Sequence, residues 1–392
     1  MRILIKNGRV IFPDRIEEGG LLLENERIKE IYTGNVPDVT DAVTIDAKGN
    51  YVSPGFIDIH THGAGGADFM DGTPEAFITA CKTHLEHGTT TILPTTLSSK
   101  FEELYRAVDS FREARKILKN EPYMPGLHLE GPYFSMEQRG AQDPRFIKDP
   151  DVEEYTAIVE YADGDIKRWT VAPELKGALE MGDYLYEHGI LPSIGHSNAE
   201  YATVKEALAH HYTHVTHLYS GMSTITRRGG FRYLGVIESA YALEELTVEV
   251  IADGCHIPPE LLRMVYRLKG VDKTCLVTDS LRCTGLDVKE SITGSLENGQ
   301  RIIIEDGVAK LPDRTAFAGS IATADRLVRT AWKLAGIPLA DSIRMMTLTP
   351  AQILNIDCDR GSIEKGKIAD IVVFNDDVEI QYVICSGNIV RG

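Results

Sequence analysis

Apolar residues recur in this chain with two textures, and the change between them divides it. Over residues 3–6, 9–12, 20–24, 28–32 and 43–46 they form short strand-like runs broken by turn residues. The Asn7-Gly8 pair between two such runs predicts a hairpin, because both turn positions tolerate positive φ. The far end has the same texture, with strands predicted at 370–374 and 382–385 and a Ser386-Gly387-Asn388 turn into Ile389 and Val390. Two β-rich ends around a different middle predict one small β-sandwich domain built from residues 1–52 and 355–392.

Residues 53–354 alternate instead between apolar strands and amphipathic helices. Strands are predicted at 56–62, 90–95, 124–130, 168–172, 190–196, 212–217, 247–252 and 274–279. Helical patterns fill most gaps, at 74–87, 101–119, 152–161, 177–188, 199–210 and 258–268, with a late one at 323–334. Eight strands separated by crossovers predict an α/β fold with a (β/α)8 TIM-like barrel, with a doubly wound open sheet as the alternative if one strand is miscounted. No tandem repeat or low-complexity tract interrupts the pattern.

Composition narrows the function classes. With 392 residues, 43% hydrophobic and 25% charged, the chain has the make-up of a soluble globular protein. No apolar run approaches the roughly 20 residues of a membrane span, and the start lacks a signal-peptide pattern, so the expected location is cytoplasmic, away from membranes. A formal net charge of −17 argues against nucleic acid as a partner, since phosphate backbones need a basic footprint. The six cysteines are scattered without a Cys-x-x-Cys pair, which predicts reduced thiols rather than a zinc knuckle or a disulfide framework.

Candidate chemistry gathers at the predicted strand ends. His60 and His62 close the first strand two residues apart, which puts both imidazoles on one face. Reading the other C-terminal ends, where a barrel keeps its active site, gives Glu130, His196, His217 and Asp279. Each alone has a structural explanation as a cap or a core histidine. Together they form a set of metal-ligand type at one end of successive strands. A divalent metal makes water nucleophilic near neutral pH, and Asp279 is the candidate to shuttle its proton to a leaving group. His84 and His87 stand before Gly88, where histidine suits a helix C-terminus, and are expected to be structural, as are His188, His210, His211 and His214. His128 shares the face of Glu130 and fits either role.

These residues sit in an ordered set of motifs: Pro54-Gly55-Phe56-Ile57-Asp58, His128-Leu129-Glu130-Gly131-Pro132, Ala172-Pro173-Glu174, Gly195-His196-Ser197, Thr216-His217-Leu218, Ile251-Ala252-Asp253-Gly254, Thr278-Asp279 and Ala318-Gly319-Ser320. The set resembles the amidohydrolase superfamily and, within it, the N-acetyl amino-sugar-phosphate deacetylases. That resemblance implies hydrolysis of N-acetylglucosamine 6-phosphate to acetate and glucosamine 6-phosphate in amino-sugar catabolism. It implies that Glu130, His196 and His217 hold one metal, with Asp279 as general base and acid. Because His60 and His62 are both present, it allows a second ion bridged by Glu130, so one or two divalent ions (Zn, Fe, Mn, Co or Ni) are expected.

The resemblance further implies that His256 meets a sugar hydroxyl, that Arg227 meets the phosphate across a homodimer interface, and that Gln142, Ser220 and Gly221 approach the substrate. A solvated basic loop explains Arg227, Arg228 and Arg232 equally well. Two departures stand out. Gln142 occupies a position where the family usually has a histidine that polarises the acetamide carbonyl, and Ser220-Gly221 replaces Asn-Ala. They motivate an alternative substrate, another N-acyl amine such as N-acetylgalactosamine 6-phosphate. A catalytically silent homologue acting as a binding protein is the alternative of another class, and retention of the whole ligand set with Asp279 counts against it.

Overall fold

Strand Arg2–Ile11 organises the terminal sheet, and the computed structural model describes it together with the rest of residues 1–392. Asn7 has a φ of 57°, yet the chain does not turn back there as a hairpin would. The strand continues against Ile16–Glu24 with a register shift between Ile5 and Gly8, so Asn7-Gly8 is a bulge. Its consequence is a fork. Ile3 to Lys6 pair with Val43–Asp46, whereas Arg9 and Val10 pair with Tyr51–Pro54.

The C-terminal strand Ile371–Phe374 adds antiparallel to Tyr51–Pro54, followed by Ile380–Cys385 and Asn388–Arg391. Both ends of the chain therefore share one sheet of eight strands. The fork at Asn7-Gly8 links all eight strands into one hydrogen-bonded sheet, and a core of 15 residues that includes Ile3, Val10, Leu21, Val52 and Ile371 packs within this part of the chain.

The middle of the chain carries parallel strands. Phe56–Thr61 pairs with Thr89–Pro94, and a six-stranded parallel sheet runs Leu127–Glu130, Ile166–Val171, Leu191–Ile194, His214–Val215, Thr247–Ile251, Thr274–Val277. Thr95 bridges His128 in parallel at one side, and at the other the Asp279 N–H donates to the His60 carbonyl at 2.8 Å.

Helices cover these strands for local reasons. In Pro74–Glu86, Thr73 caps the N-terminus by accepting from the Ala76 N–H, Pro74 occupies the first turn, and Phe77, Ala80, Cys81, His84 and Leu85 form the buried stripe. Burying a side chain such as Phe77 stabilises the fold by about 1.5–3 kcal/mol. Gly88, at a φ of 92°, ends the segment where a Cβ would stand 2.8 Å from the Phe56 ring. The late helix is not uniform: Ala324–Arg329 is α-helical, and Thr330–Leu334 widens to a π turn with the Ala335 N–H on the Thr330 carbonyl.

Sequence periodicity missed three short β pieces in the connections: Gly63–Ala64 with Ala67–Asp68, Thr226–Arg228 with Phe231–Tyr233, and the sheet Glu290–Thr293, Gln300–Glu305, Val308–Lys310. No helix is long and apolar enough to cross a membrane.

Candidate metal centre and substrate cleft

Six side chains from the strand ends converge. His60 belongs to Phe56–Thr61 and His62 follows it, Glu130 ends Leu127–Glu130, and His196, His217 and Asp279 follow Leu191–Ile194, His214–Val215 and Thr274–Val277. All six are buried. His217 and His196 bring their Nε2 atoms to 3.0 and 3.3 Å from Glu130 Oε1, and His62 Nε2 lies 3.3 Å from Glu130 Oε2 and 3.0 Å from Asp279 Oδ1. His60 Nε2 stands 3.5 Å from both Glu130 and Asp279. The donors fall into two triads that share Glu130: His60, His62, Glu130 and Glu130, His196, His217.

Three of these residues occupy left-handed backbone: His196 at φ 46°, His217 at 26° and Asp279 at 46°. Such positions cost on the order of 1–3 kcal/mol each and persist only where the surroundings enforce them. Here the Ser135 N–H donates to the His196 carbonyl, the Ser220 N–H to that of His217, and the Ser320 N–H to that of Asp279.

Hydrogen bonds on the far side of the rings set the tautomers. His60 Nδ1 donates to Glu249 Oε1 at 2.6 Å, His196 Nδ1 to the Gln138 carbonyl at 2.9 Å, and His62 Nδ1 to the Thr95 carbonyl at 3.2 Å. These acceptors carry no proton, so each of these three rings keeps a hydrogen on Nδ1, and its Nε2 offers a lone pair inward when the imidazole is neutral. His60 and His62 then face each other Nε2 to Nε2 at 3.3 Å, and His196 and His217 at 3.2 Å. Neutral rings facing each other that closely repel through their lone pairs, and a ring proton or a metal ion between them relieves this. Imidazole and carboxylate donors in this number suit a divalent transition metal, so the residues present fit such an ion.

The same crowding moves the protonation equilibria of the ligands without metal. Burial pulls His62 down, but hydrogen bonds with Asp279 and Glu130 outweigh it and raise the imidazole to about 9. Burial works to raise Glu130, and His60, His196 and His217 hold it well below the ordinary carboxylate value instead. Asp279 follows the same pattern, lowered by His60 and His62 against its burial.

Above these side chains opens a cleft of about 270 Å³, and Gln142, Ser220, Gly221 and His256 line it, as do Thr293 and Phe317. Gln142 does not present a free amide: its Nε2 donates to Glu130 Oε2 at 2.8 Å while its Oε1 accepts from the Ser98 N–H at 2.9 Å. It thereby fixes the rotation of the shared carboxylate. His256 is held through Nδ1 by Asp253 Oδ2 at 2.9 Å, leaving its Nε2 without a partner in the chain. Arg227 does not line this cleft. It lies on the exposed hairpin Thr226–Tyr233 and makes no ion pair within the chain, whereas Arg228 pairs with Glu200.

The remaining histidines take structural places. His128 spends both nitrogens on Thr95 and Thr170, at 3.2 and 2.7 Å, which removes it from the ligand set. His84 packs beneath the His60 strand against Thr61 and Ser280, lowered to about 4 by burial, and His87 pairs with Asp325.

Sequence reading gave no role to the layer below these six side chains: Glu249, Arg168 and Asp58. Asp58 accepts from Thr278 Oγ1 at 2.6 Å and from the Thr278 N–H at 3.2 Å, clamping the first strand to the last. Burial works to raise Glu249, and Arg168 and His60 hold it well below the ordinary value. The available signal was a charged residue inside an apolar strand, as in Thr247-Val248-Glu249-Val250-Ile251.

A carboxylate and imidazole cluster buried at the ends of parallel strands, with a second carboxylate, Asp279, beside it and a cleft above, has the make-up of a metal-dependent hydrolase. The chain belongs to the amidohydrolase family, whose model matches residues 51–390. It is 33% identical over 390 residues to N-acetylglucosamine-6-phosphate deacetylase of Bacillus subtilis (strain 168), covering 98% of this chain and 93% of that one. Its fold is similar to the crystal structure of N-acetylglucosamine-6-phosphate deacetylase from Pasteurella multocida, with a TM-score of 0.92 and 29% identity over the full length of both chains. A mutant of the Mycobacterium smegmatis deacetylase in complex with N-acetyl-D-glucosamine-6-phosphate superposes with a TM-score of 0.91 at 28% identity, again over both full lengths.

Proposed function

We propose that this protein deacetylates N-acetylglucosamine 6-phosphate, releasing acetate and glucosamine 6-phosphate, as a cytoplasmic step of amino-sugar catabolism. The observation that carries the reading is the inward convergence of four imidazole Nε2 atoms on Glu130 beside Asp279, in a chain similar along 98% of its length to a deacetylase of that sugar.

In this reading residues 53–354 form a hydrolase domain whose eight strands close as a barrel through the Thr95 bridge and the Asp279 to His60 hydrogen bond, with residues 1–52 and 355–392 as the small domain. Glu130, His196 and His217 would hold one divalent ion, and His60 and His62 with Glu130 would offer donors to a second, drawn from Zn, Fe, Mn, Co or Ni. Such an ion supplies a nucleophilic water at neutral pH and polarises the acetamide carbonyl. Asp279, kept ionised by His60 and His62, accepts the proton of the attacking water and returns it to the amine nitrogen as the C–N bond breaks. Gln142 keeps Glu130 in register, His256 holds a sugar hydroxyl, and Ser220 with the Gly221 N–H borders the sugar phosphate.

Arg227 completes the phosphate site from a partner subunit. The hairpin supports this: it is exposed throughout, Phe231 is 74% accessible, and an acidic chain of net charge −17 needs a local cation to hold a phosphorylated substrate.

The test is acetate release from N-acetylglucosamine 6-phosphate by purified protein, with and without chelation, beside the galacto epimer. Chelator-sensitive release favouring the gluco sugar is expected. No release from either sugar by metal-replete protein would overturn the substrate.

A further inference from the structure

Beneath the ligands, Glu249 and Arg168 form a fully buried ion pair, with Arg168 Nη1 2.5 Å from Glu249 Oε2. Arg168 also donates to Ser193 Oγ at 3.0 Å, Thr216 Oγ1 at 2.7 Å and the Ile59 carbonyl at 3.3 Å. His214 Nε2 lies 3.3 Å from the same Oε2. The other oxygen of Glu249 faces the metal centre. Oε1 accepts from His60 Nδ1 at 2.6 Å and from the His217 N–H at 3.0 Å. One carboxylate thus touches a ligand of each triad. Enclosed by donors and sealed from solvent, it has no route by which to carry a proton to substrate.

We infer that Glu249 is a positioning residue for the metal centre, holding His60 in the tautomer that offers Nε2 and tying it to the backbone of His217. The inference rests on the reading of His60 and His217 as metal ligands. A purely structural ion pair would need only Oε2 and Arg168. Oε1 has a separate duty, because a metal-ligating imidazole depends on the acceptor behind it for orientation and basicity.

An amide at this position exposes the dependence. Every group facing either oxygen except the two histidine rings is an obligate donor. A glutamine NH2 turned toward Oε1 therefore finds an acceptor only if His60 moves its proton to Nε2, which removes the lone pair a metal requires.

The experiment uses full-length protein and zinc(II) alone. Zinc affinity is measured by competition with a chromophoric chelator for wild type, Glu249→Gln and Glu249→Asp; the aspartate keeps a charge opposite Arg168 but withdraws from His60. Both variants are expected to bind zinc roughly tenfold or more weakly. In wild type labelled with ¹⁵N-histidine, the His60 ring, assigned by its loss in His60→Gln, is expected to carry its proton on Nδ1, with Nε2 shifted by zinc. Folded Glu249→Asp with wild-type zinc affinity would overturn the inference, as would a zinc-loaded wild type whose His60 proton sits on Nε2. If both variants fail to fold by circular dichroism, the wild-type tautomer decides alone. None of these measurements uses sugar, so a protein that shows them without releasing acetate loses the substrate reading and keeps this one. Rapid deacetylation with zinc affinity unchanged in folded Glu249→Asp does the reverse.

Discussion

Gly221 lies so close to His196 that a Cβ on it would stand 2.8 Å from the ring Nδ1, and equally close to the Gln138 carbonyl which that nitrogen binds. Its φ of 56° already favours glycine. Gly221→Ala is therefore expected to wedge the imidazole from its acceptor and weaken metal binding roughly tenfold or more. Metal retained after dialysis against a graded chelator series reads this out, and a variant that retains metal like wild type would contradict it.

Asp279→Asn should separate binding from chemistry. The amide can still occupy the space beside His62, 3.0 Å away in the native chain, but cannot take a proton. Metal content is expected to stay within experimental scatter while kcat falls by about 10²–10⁴. A near-native rate would remove Asp279 from the mechanism.

The ligand protonation predicts opposite pH trends with and without metal. His62 sits at about 9 in the metal-free protein against an ordinary value of 6.5. Its folded pKa is raised, so the stability it contributes is complete below pH 6.5 and is lost as pH rises through about 9. The Tm of metal-free protein should fall across that window. Metal affinity should rise across it, because zinc displaces these protons. Calorimetric Tm and zinc titrations at three pH values check both signs.

Arg227→Ala is expected to raise KM for the phosphorylated sugar by roughly 10–100-fold, the scale of one charge-assisted hydrogen bond of about 1.5–3 kcal/mol. Fold stability should hardly change, since Arg227 is exposed and makes no ion pair in the chain. An unchanged KM would remove Arg227 from the phosphate site.

Much of the molecule was legible before folding because strands advertise their ends. Period two places His60 and His62 on one face, and reading the ends of the third, fifth, sixth and eighth predicted strands finds Glu130, His196, His217 and Asp279, the last three just beyond the strands as they form, and the structure gathers all of them. Asn7-Gly8 misled for a physical reason: positive φ at Asn7 is required by a hairpin and by a bulge alike, and only the pairing partners distinguish them. The exposed hairpin at Thr226–Tyr233 escaped notice because it buries no face and so leaves no periodic trace.

The sequence by itself determined the two textures, the alternation of strand and helix, and the residue types at the strand ends, since these depend on local periodicity and on neighbours in the chain. Tertiary structure alone decided what stands behind each ligand. It turned Gln142 toward Glu130 rather than the open cleft, spent both nitrogens of His128 on threonines, and set Glu249 under His60 from 189 residues away. Hydrogen-bond direction and ring tautomer depend on partners brought together by packing, and no periodicity along the chain encodes them.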